Sequence, residues 1–272
     1  MKKPLVSVIV PSLNCASTIE KCLESIKNQS YKPIEILVVD NNSDDATVKI
    51  ARGYTKRIYT AGPERAAQVN FGCSKARGKY LYRVDSDFIL GPSIISECVD
   101  LCEREKLDGV AIHNTSAPNL GFWAEVRRLE RNSYTDDDLI VAVRFFTKKS
   151  WEIVGGFDET LYGPEDYDFH NRFEEAGFAW GRIGSWEVHL GEPRSLRDVW
   201  RKHYFYGKQM YYYVKKHPKR GRQQLWPFRI SFIRHWKSFV THPALAAGLI
   251  IYWLVKFTSG GLGYVSEAYI RK

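Results

Sequence analysis

Tyr80-Leu81-Tyr82-Arg83-Val84-Asp85-Ser86-Asp87 carries an apolar run straight into two carboxylates one residue apart. The run has the length of a buried strand and closes on polar residues. Open α/β sheets bind ligands outside the carboxyl ends of their strands. Mg²⁺ and Mn²⁺ prefer oxygen ligands, commonly one or two carboxylates plus substrate phosphates. An Asp-x-Asp pair at a strand end therefore suits a divalent cation bound to a diphosphate. Alone, the same pair is also an ordinary solvated turn, so its neighbours decide.

Toward the N-terminus, Leu5 to Val10 reads as a short buried strand closed by Pro11. Ser17-Thr18-Ile19-Glu20 fits a capping box, and Ile19, Cys22, Leu23 and Ile26 recur at helical spacing. A second apolar strand, Ile34 to Val39, ends at Asp40. A short helix from Ala46 to Ala51, a strand near Arg57 to Thr60 and a helix from Glu64 to Ala76 follow. This alternation predicts the α/β class, a mostly parallel sheet with helices flanking it. Three strand ends then line up: Pro11-Ser12-x-Asn14, Asp40-Asn41 and Asp85-Ser86-Asp87. On adjacent parallel strands they form a crevice for a nucleotide. The Asp40 carboxylate suits a base N–H or a ribose hydroxyl, with helix capping as its competing role.

Toward the C-terminus the spacing predicts a helix over Pro92 to Cys102 and strands over Gly109 to His113 and Leu139 to Phe146. Gly155-Gly156 breaks a short helix. Glu165 to Ala176 has helical spacing with Gly177 as its stop, and Asp168 and Arg172 are one turn apart, ready to pair.

The 272 residues are 44% hydrophobic, a globular composition, and a formal net charge of +9 points to an anionic partner: nucleotide, nucleic acid or acidic membrane surface. The five cysteines form no Cys-x-x-Cys pattern, which argues against a zinc site or a disulfide framework and for buried free thiols. Val6 to Val10 is too short for a signal-peptide core, so a cytoplasmic location is expected. No Gly-x-Gly-x-x-Gly follows the first strand and no Gly-x-x-x-x-Gly-Lys-Ser/Thr is present, which counts against a dehydrogenase or an NTPase.

Taken together, these segments resemble an inverting glycosyltransferase of family 2 with a GT-A-type, Rossmann-like nucleotide-sugar-binding domain. The resemblance rests on Val6 to Asn14, Ile36 to Asp45, Gly62-Pro63-Glu64-Arg65-Ala66-Ala67-Gln68-Val69-Asn70-x-Gly72 and Ala76-Arg77-Gly78. It continues through the Asp85-Ser86-Asp87 DXD motif, Gly155 to Glu159, and Glu165-Asp166-Tyr167-Asp168, in family order over residues 4 to 190. It implies that Pro11, Ser12 and Asn14 shape the nucleotide pocket and that Asp40 contacts base or ribose. By the same resemblance Arg65 faces the nucleotide or its phosphates, Asp85 the ribose or sugar, and Asp87 holds Mn²⁺ or Mg²⁺. His189 is implied to complete the metal or diphosphate shell, with packing as the other reading. Asp166 is implied as the catalytic base, with Glu165 as its rival. One departure stands out: many relatives carry Asp-Asp-Gly-Ser where this chain has Asp40-Asn41-Asn42-Ser43.

From Arg194 to Val240 thirteen Lys or Arg stand against one acid, Asp198, amid crowded aromatics. Pro243 to Val255 follows as an apolar stretch, short of the roughly 20 residues of a membrane span. A boundary near residue 192 is expected, separating a catalytic domain (1–192) from a basic, aromatic-rich helical extension (193–272). The extension suits peripheral contact with the cytoplasmic face of a membrane. Packing on the catalytic domain and nucleic-acid binding are the competing readings, and no nucleic-acid partner is expected. The expected function is metal-dependent transfer from a nucleoside-diphosphate sugar to an acceptor saccharide or lipid-linked acceptor. The alternatives are a sugar-phosphate nucleotidyltransferase and a non-enzymatic membrane or nucleic-acid binding module. Pro11-Ser12-Leu13-Asn14-Cys15 takes the place of the nucleotidyltransferase's Gly-rich basic loop, and converging carboxylates give a pure binding surface nothing.

Overall fold

Val6–Ser12 is buried at all seven positions, as a strand covered on both faces must be. This strand, β1, is the centre of the fold in a computed structural model that describes residues 3–270. Met1, Lys2, Arg271 and Lys272, the ends of the two expected domains, lie outside the described residues. The chain continues as α1 (Ile19–Lys27), β2 (Ile34–Asp40), α2 (Thr47–Ala51), β3 (Ile58–Thr60), α3 (Arg65–Lys75), β4 (Tyr80–Arg83) and β5 (Phe88–Leu90). Next come α4 (Ile94–Glu105), β6 (Gly109–Ala111), β7 (Asn114–Ser116), α5 (Phe122–Asn132), β8 (Val143–Thr147), α6 (Lys148–Val154) and α7 (Glu165–Glu175). The last elements are β9 (Trp180–Arg182), β10 (Glu187–His189), α8 (Leu196–Lys216), α9 (Pro218–Leu225), α10 (Ile230–Arg234), α11 (Trp236–Thr241) and α12 (Pro243–Ile270).

The chain divides into two compact units, one comprising residues 1–113, 142–160 and 165–190, the other 114–141, 161–164 and 191–272. The first unit holds a seven-stranded sheet in the order β3-β2-β1-β4-β8-β6-β9. β8 runs against both neighbours, β4 and β6, while the other pairings are parallel. The chain steps outward from β1 to β2 and β3, then returns to lay β4 on the other side of β1. That reversal makes the carboxyl ends of β1 and β4 the crevice of the sheet.

Side chains alternate across the sheet with the period of two that strands impose. Val6, Val8 and Val10 join Leu23, Ile26 and Ile94 on one face. Ile9, Leu37 and Val39 join Val69, Phe146, Phe169 and Phe173 on the other. α3 lies so close to β1 that a Cβ on Gly72 would come within 2.5 Å of Ile9 Cγ2, so only glycine fits there. The Ser17 capping box does not form. α1 starts at Ile19, its N-cap Thr18 makes no side-chain cap bond, and the Thr18 hydroxyl turns back to Cys15 O instead.

The second unit packs Val126, Val199, Leu249 and Tyr252 into its own small core. α12 departs from the sequence expectation. The apolar stretch does not stop at Val255 but forms a 28-residue helix, long and apolar enough by length and composition to cross a membrane. Lys256, which marked the apparent end, is neutralised by Glu130 of α5 at 2.8 Å, and the helix runs on.

Candidate active site

The strand ends of the first unit assemble two adjoining polar clusters. β1 and β2 are in register from Val6 opposite Ile34 to Ser12 opposite Asp40, which sets the last pair side by side. Ser12 Oγ donates to Asp40 Oδ1 at 2.9 Å. The Ser43 backbone N–H donates to Oδ2 at 2.8 Å and its hydroxyl to Oδ1 at 2.6 Å. Asp40 thus folds the loop after β2 onto itself, the capping role, and keeps part of its acceptor capacity. Asn14, just past Pro11 and Ser12, is cross-linked to the same loop through Ser43 Oγ and the Asp44 N–H. Asn14 and Asn42 have φ of +47° and +56°. Asparagine tolerates the left-handed conformation better than most residues, which suits both positions. Gln68, buried in α3, donates to Ser12 O at 2.8 Å and Val39 O at 2.7 Å, clamping the ends of β1 and β2 together.

The second cluster forms around Asp85. Arg83 donates to Asp85 Oδ1 at 2.9 Å, Arg144 of β8 approaches Oδ2 at 3.4 Å, and Arg65 of α3 approaches it at 3.5 Å. Burial pushes the Asp85 carboxyl up, but Arg83, Arg65 and Arg144 outweigh it and hold it well below the usual carboxylate range. α7 enters with acids in its first turn, where the helix dipole favours them. Arg65 Nε donates to Glu165 Oε1 at 2.8 Å, and Arg83 pairs with Asp166. Glu165 is likewise held below its usual value, Arg65 and Arg83 overcoming burial. On the far side, Arg144 pairs with Glu187 Oε2 at 3.2 Å and Tyr82 donates to Oε1 at 2.5 Å. There burial wins and the Glu187 carboxyl is raised.

Asp87 and His189 stand beside this network, with Oδ2 and Nε2 3.1 Å apart. β10 pairs with β5 so that His189 lies opposite Phe88, which brings the imidazole back to the Asp87 loop. No group of three or more His, Cys, Asp or Glu residues able to hold a metal occurs among the described residues. Asp168 is taken up by Arg172, at 2.9 and 2.7 Å, and the same guanidinium binds Val154 O and Gly156 O. That pair fixes the end of α6.

The structure thus gathers Ser12, Asn14 and Asp40 in one cluster, and Arg65, Asp85, Glu165 and Asp166 in the other, with Asp87 and His189 alongside. Sequence reasoning missed Gln68, Arg83, Arg144 and Glu187. A signal was present for two of them: Arg83 and Arg144 interrupt otherwise apolar strands, and a charge buried in a sheet needs a partner.

A mostly parallel central sheet with polar groups at the end of β1 and carboxylates at the ends of β2 and β4 matches a GT-A-type nucleotide-sugar-binding fold. The mannosyltransferase PcManGT from Pyrobaculum calidifontis, solved with GDP-Man and Mn²⁺, matches with TM-score 0.67 and 16% identity, over 100% of this chain and 89% of that one. S. aureus TarS 1–349 in complex with UDP-GlcNAc matches with TM-score 0.53 and 18% identity, over 75% of this chain and 66% of that one. At these identities the likeness is one of fold. Residues 7–158 match the family model for glycosyl transferase family 2, and the chain belongs to that family. Chondroitin synthase of Escherichia coli is 29% identical over 191 residues, covering 64% of this chain and 27% of the synthase. The uncharacterized glycosyltransferase EpsJ of Bacillus subtilis is 33% identical over 111 residues, covering 39% of this chain and 32% of EpsJ. The matched region therefore spans about a third or less of either relative. Family membership counts against the nucleotidyltransferase reading.

Proposed function

We propose that this glycosyltransferase binds a nucleoside-diphosphate sugar across the ends of β1, β2 and β4 and transfers the sugar to an acceptor hydroxyl with inversion. The observation that carries the reading is the delivery of two carboxylates by the first turn of α7 to the arginines that hold Asp85. The two differ in access: the Glu165 side chain is 2% exposed and that of Asp166 24%. A general base must come within hydrogen-bond reach of the acceptor hydroxyl, which favours Asp166 as base and Glu165 as the residue that fixes Arg65. Arg65, itself partly exposed, suits the donor phosphates, and Asp85 the ribose or sugar. The cross-linked Pro11-Ser12-Leu13-Asn14 segment and Asp40 suit the nucleoside.

Asp87 and His189 fit as the protein's share of a divalent cation site, an oxygen and a nitrogen donor side by side, with diphosphate oxygens completing the shell. Bound Mn²⁺ or Mg²⁺ would supply charge neutralisation at the leaving diphosphate. The Mn²⁺ and GDP-Man of PcManGT and the UDP-GlcNAc of TarS support a metal-assisted nucleotide-sugar reading. The acceptor is a saccharide or a lipid-linked saccharide, and the basic second unit gives peripheral contact with the cytoplasmic face of a membrane.

A thermal-shift panel of UDP-, GDP-, CMP- and dTDP-linked sugars, with and without Mn²⁺, tests this on wild type and Asp87→Ala. A ligand that binds the folded state raises its apparent stability. A metal-dependent shift with one nucleotide class, lost in Asp87→Ala, is expected. No shift with any of them would remove the donor assignment.

A further inference from the structure

α12 is too exposed for the core helix of a soluble protein: 22% of its most apolar window is buried. Its two charged residues both turn onto the protein, Lys256 to Glu130 and Glu267 to the Tyr212 hydroxyl of α8. The outer face carries Ile250, Leu254, Leu262, Val265 and Tyr269, each at least 50% exposed and spaced one or two turns apart. A contiguous apolar face of this length marks an interaction surface. A second apolar surface adjoins it. Trp226, Phe228, Ile230, Ile233, Trp236 and Val240 are all more than half exposed, and this segment meets α12 where the Phe232 and Trp253 rings lie 4.8 Å apart. Arg222 and Lys237 are exposed within it, Arg229 and Arg234 pair with Asp137 and Asp136, and no acidic residue occurs in the sequence from Val199 to Ser266.

Apolar side chains, tryptophans and the exposed cations Arg222 and Lys237 in one segment match the chemistry of an anionic leaflet. What remains is whether α12 crosses the bilayer or lies on it. α8 packs against α12 so closely that a Cβ on Gly207 would come within 2.0 Å of Gly260 O, and one on Gly263 within 2.0 Å of Tyr204 O. α8 carries Arg197, Arg201, Lys202, Lys208, Lys215 and Lys216. A crossing α12 would drag this helix into hydrocarbon, where cationic side chains are strongly disfavoured. A helix with one face on the protein and the other apolar is accommodated in the interface plane instead.

We propose that α12 lies in the plane of an anionic bilayer, its outer face in the acyl boundary, with the Trp226–Val240 segment at the adjacent headgroups. This deepens the peripheral-contact reading above and rests on it. The test is co-sedimentation of the full chain with phosphatidylcholine vesicles and with mixed phosphatidylcholine–phosphatidylglycerol vesicles, followed by alkaline carbonate extraction. Binding to the mixed vesicles is expected, weakened by high salt and by omission of the anionic lipid, and stripped by carbonate. Leu254→Glu and Ile233→Glu, both on exposed positions, should each weaken binding by about tenfold or more with unchanged circular dichroism. Carbonate-resistant binding would establish a spanning helix and overturn the proposal. So would binding indifferent to both substitutions, or no vesicle binding together with a dimer that Leu254→Glu dissolves. Donor binding is read separately by thermal shift, so failure of the catalytic reading and failure of the membrane reading are distinct results.

Discussion

Each unit buries an ionic cluster, and the two are built from the same materials. In the second unit Glu130 is fully buried and accepts from Lys256 Nζ at 2.8 Å, Tyr134 Oη at 2.9 Å and Trp253 Nε1 at 3.0 Å, and it pairs with Arg127. Burial pushes its carboxyl up, but Arg127 and Lys256 outweigh that and keep it ionised. In the first unit Asp85 is held the same way by three arginines. The surroundings differ: the side chains of Asp166, Asp87 and Arg65 beside it are 24%, 32% and 33% exposed. The Glu130 cluster shows only cations at its edge, Arg127 and Lys256 at 22% exposed each, and its carboxylate is closed off, so it serves packing. The Asp85 cluster keeps its charges in order and leaves an edge for a ligand. Buried charge alone therefore does not mark a site; buried charge with accessible carboxylates at its rim does.

The sharpest way to break this comparison is to remove one group from each cluster. Asp166→Asn should lower transfer by about 10²- to 10⁴-fold, the usual scale of a general base, with little change in the unfolding midpoint. Full activity in this variant would put the base elsewhere. Glu130→Gln should do the reverse. It leaves Arg127 and Lys256 around an uncharged partner, and breaking a buried pair costs about 3–5 kcal/mol, readable by urea unfolding, while donor affinity of the folded protein stays near wild type. Gln68→Ala falls between the clusters in kind and below both in size. Losing two hydrogen bonds at a buried site should cost about 1–3 kcal/mol and raise the KM for donor, because the β1 and β2 ends separate.

Acid should divide the units more gently. His203 of α8 is pushed down to about 3, by burial first and then by Lys256 and Arg127. The folded second unit thus excludes a proton that the unfolded chain takes up, so its stability is lost as pH falls below about 6.5, by at most about 1.4 kcal/mol per pH unit. In the first unit Asp85 and Glu165 have lowered values, so their contribution persists until about pH 4 and is lost below it. Glu187, raised by burial, acts in the opposite sense and favours the fold on mild acidification. Urea unfolding followed by hydrogen exchange on peptides of each unit, from neutral to about pH 4, should show the second unit weakening first. Simultaneous weakening would contradict the assignment.

Much of this was legible in sequence because it is local. The β1, β2 and β4 strands announce themselves as apolar runs, and each ends on the polar residues that now meet at the crevice. Pairing between distant segments was not legible. Arg144 reads as a stray charge in β8 until Glu187 arrives from β10, and Gln68 is unremarkable until α3 lies across two strand ends. The length of α12 was missed for the same reason: Lys256 reads as a terminus only while its partner Glu130, on another helix, is unknown. The capping box failed because the turn before α1 is held from outside, by Asp45 on the Ala16 N–H and Thr47 on the Cys15 N–H.

Asp166→Asn should separate donor binding from transfer at the open cluster. Thermal shift with the donor sugar and Mn²⁺ would be measured beside turnover on the same preparation. A shift equal to that of wild type and no appreciable transfer are expected. A lost shift with the fold intact, or transfer at the wild-type rate, would contradict that separation.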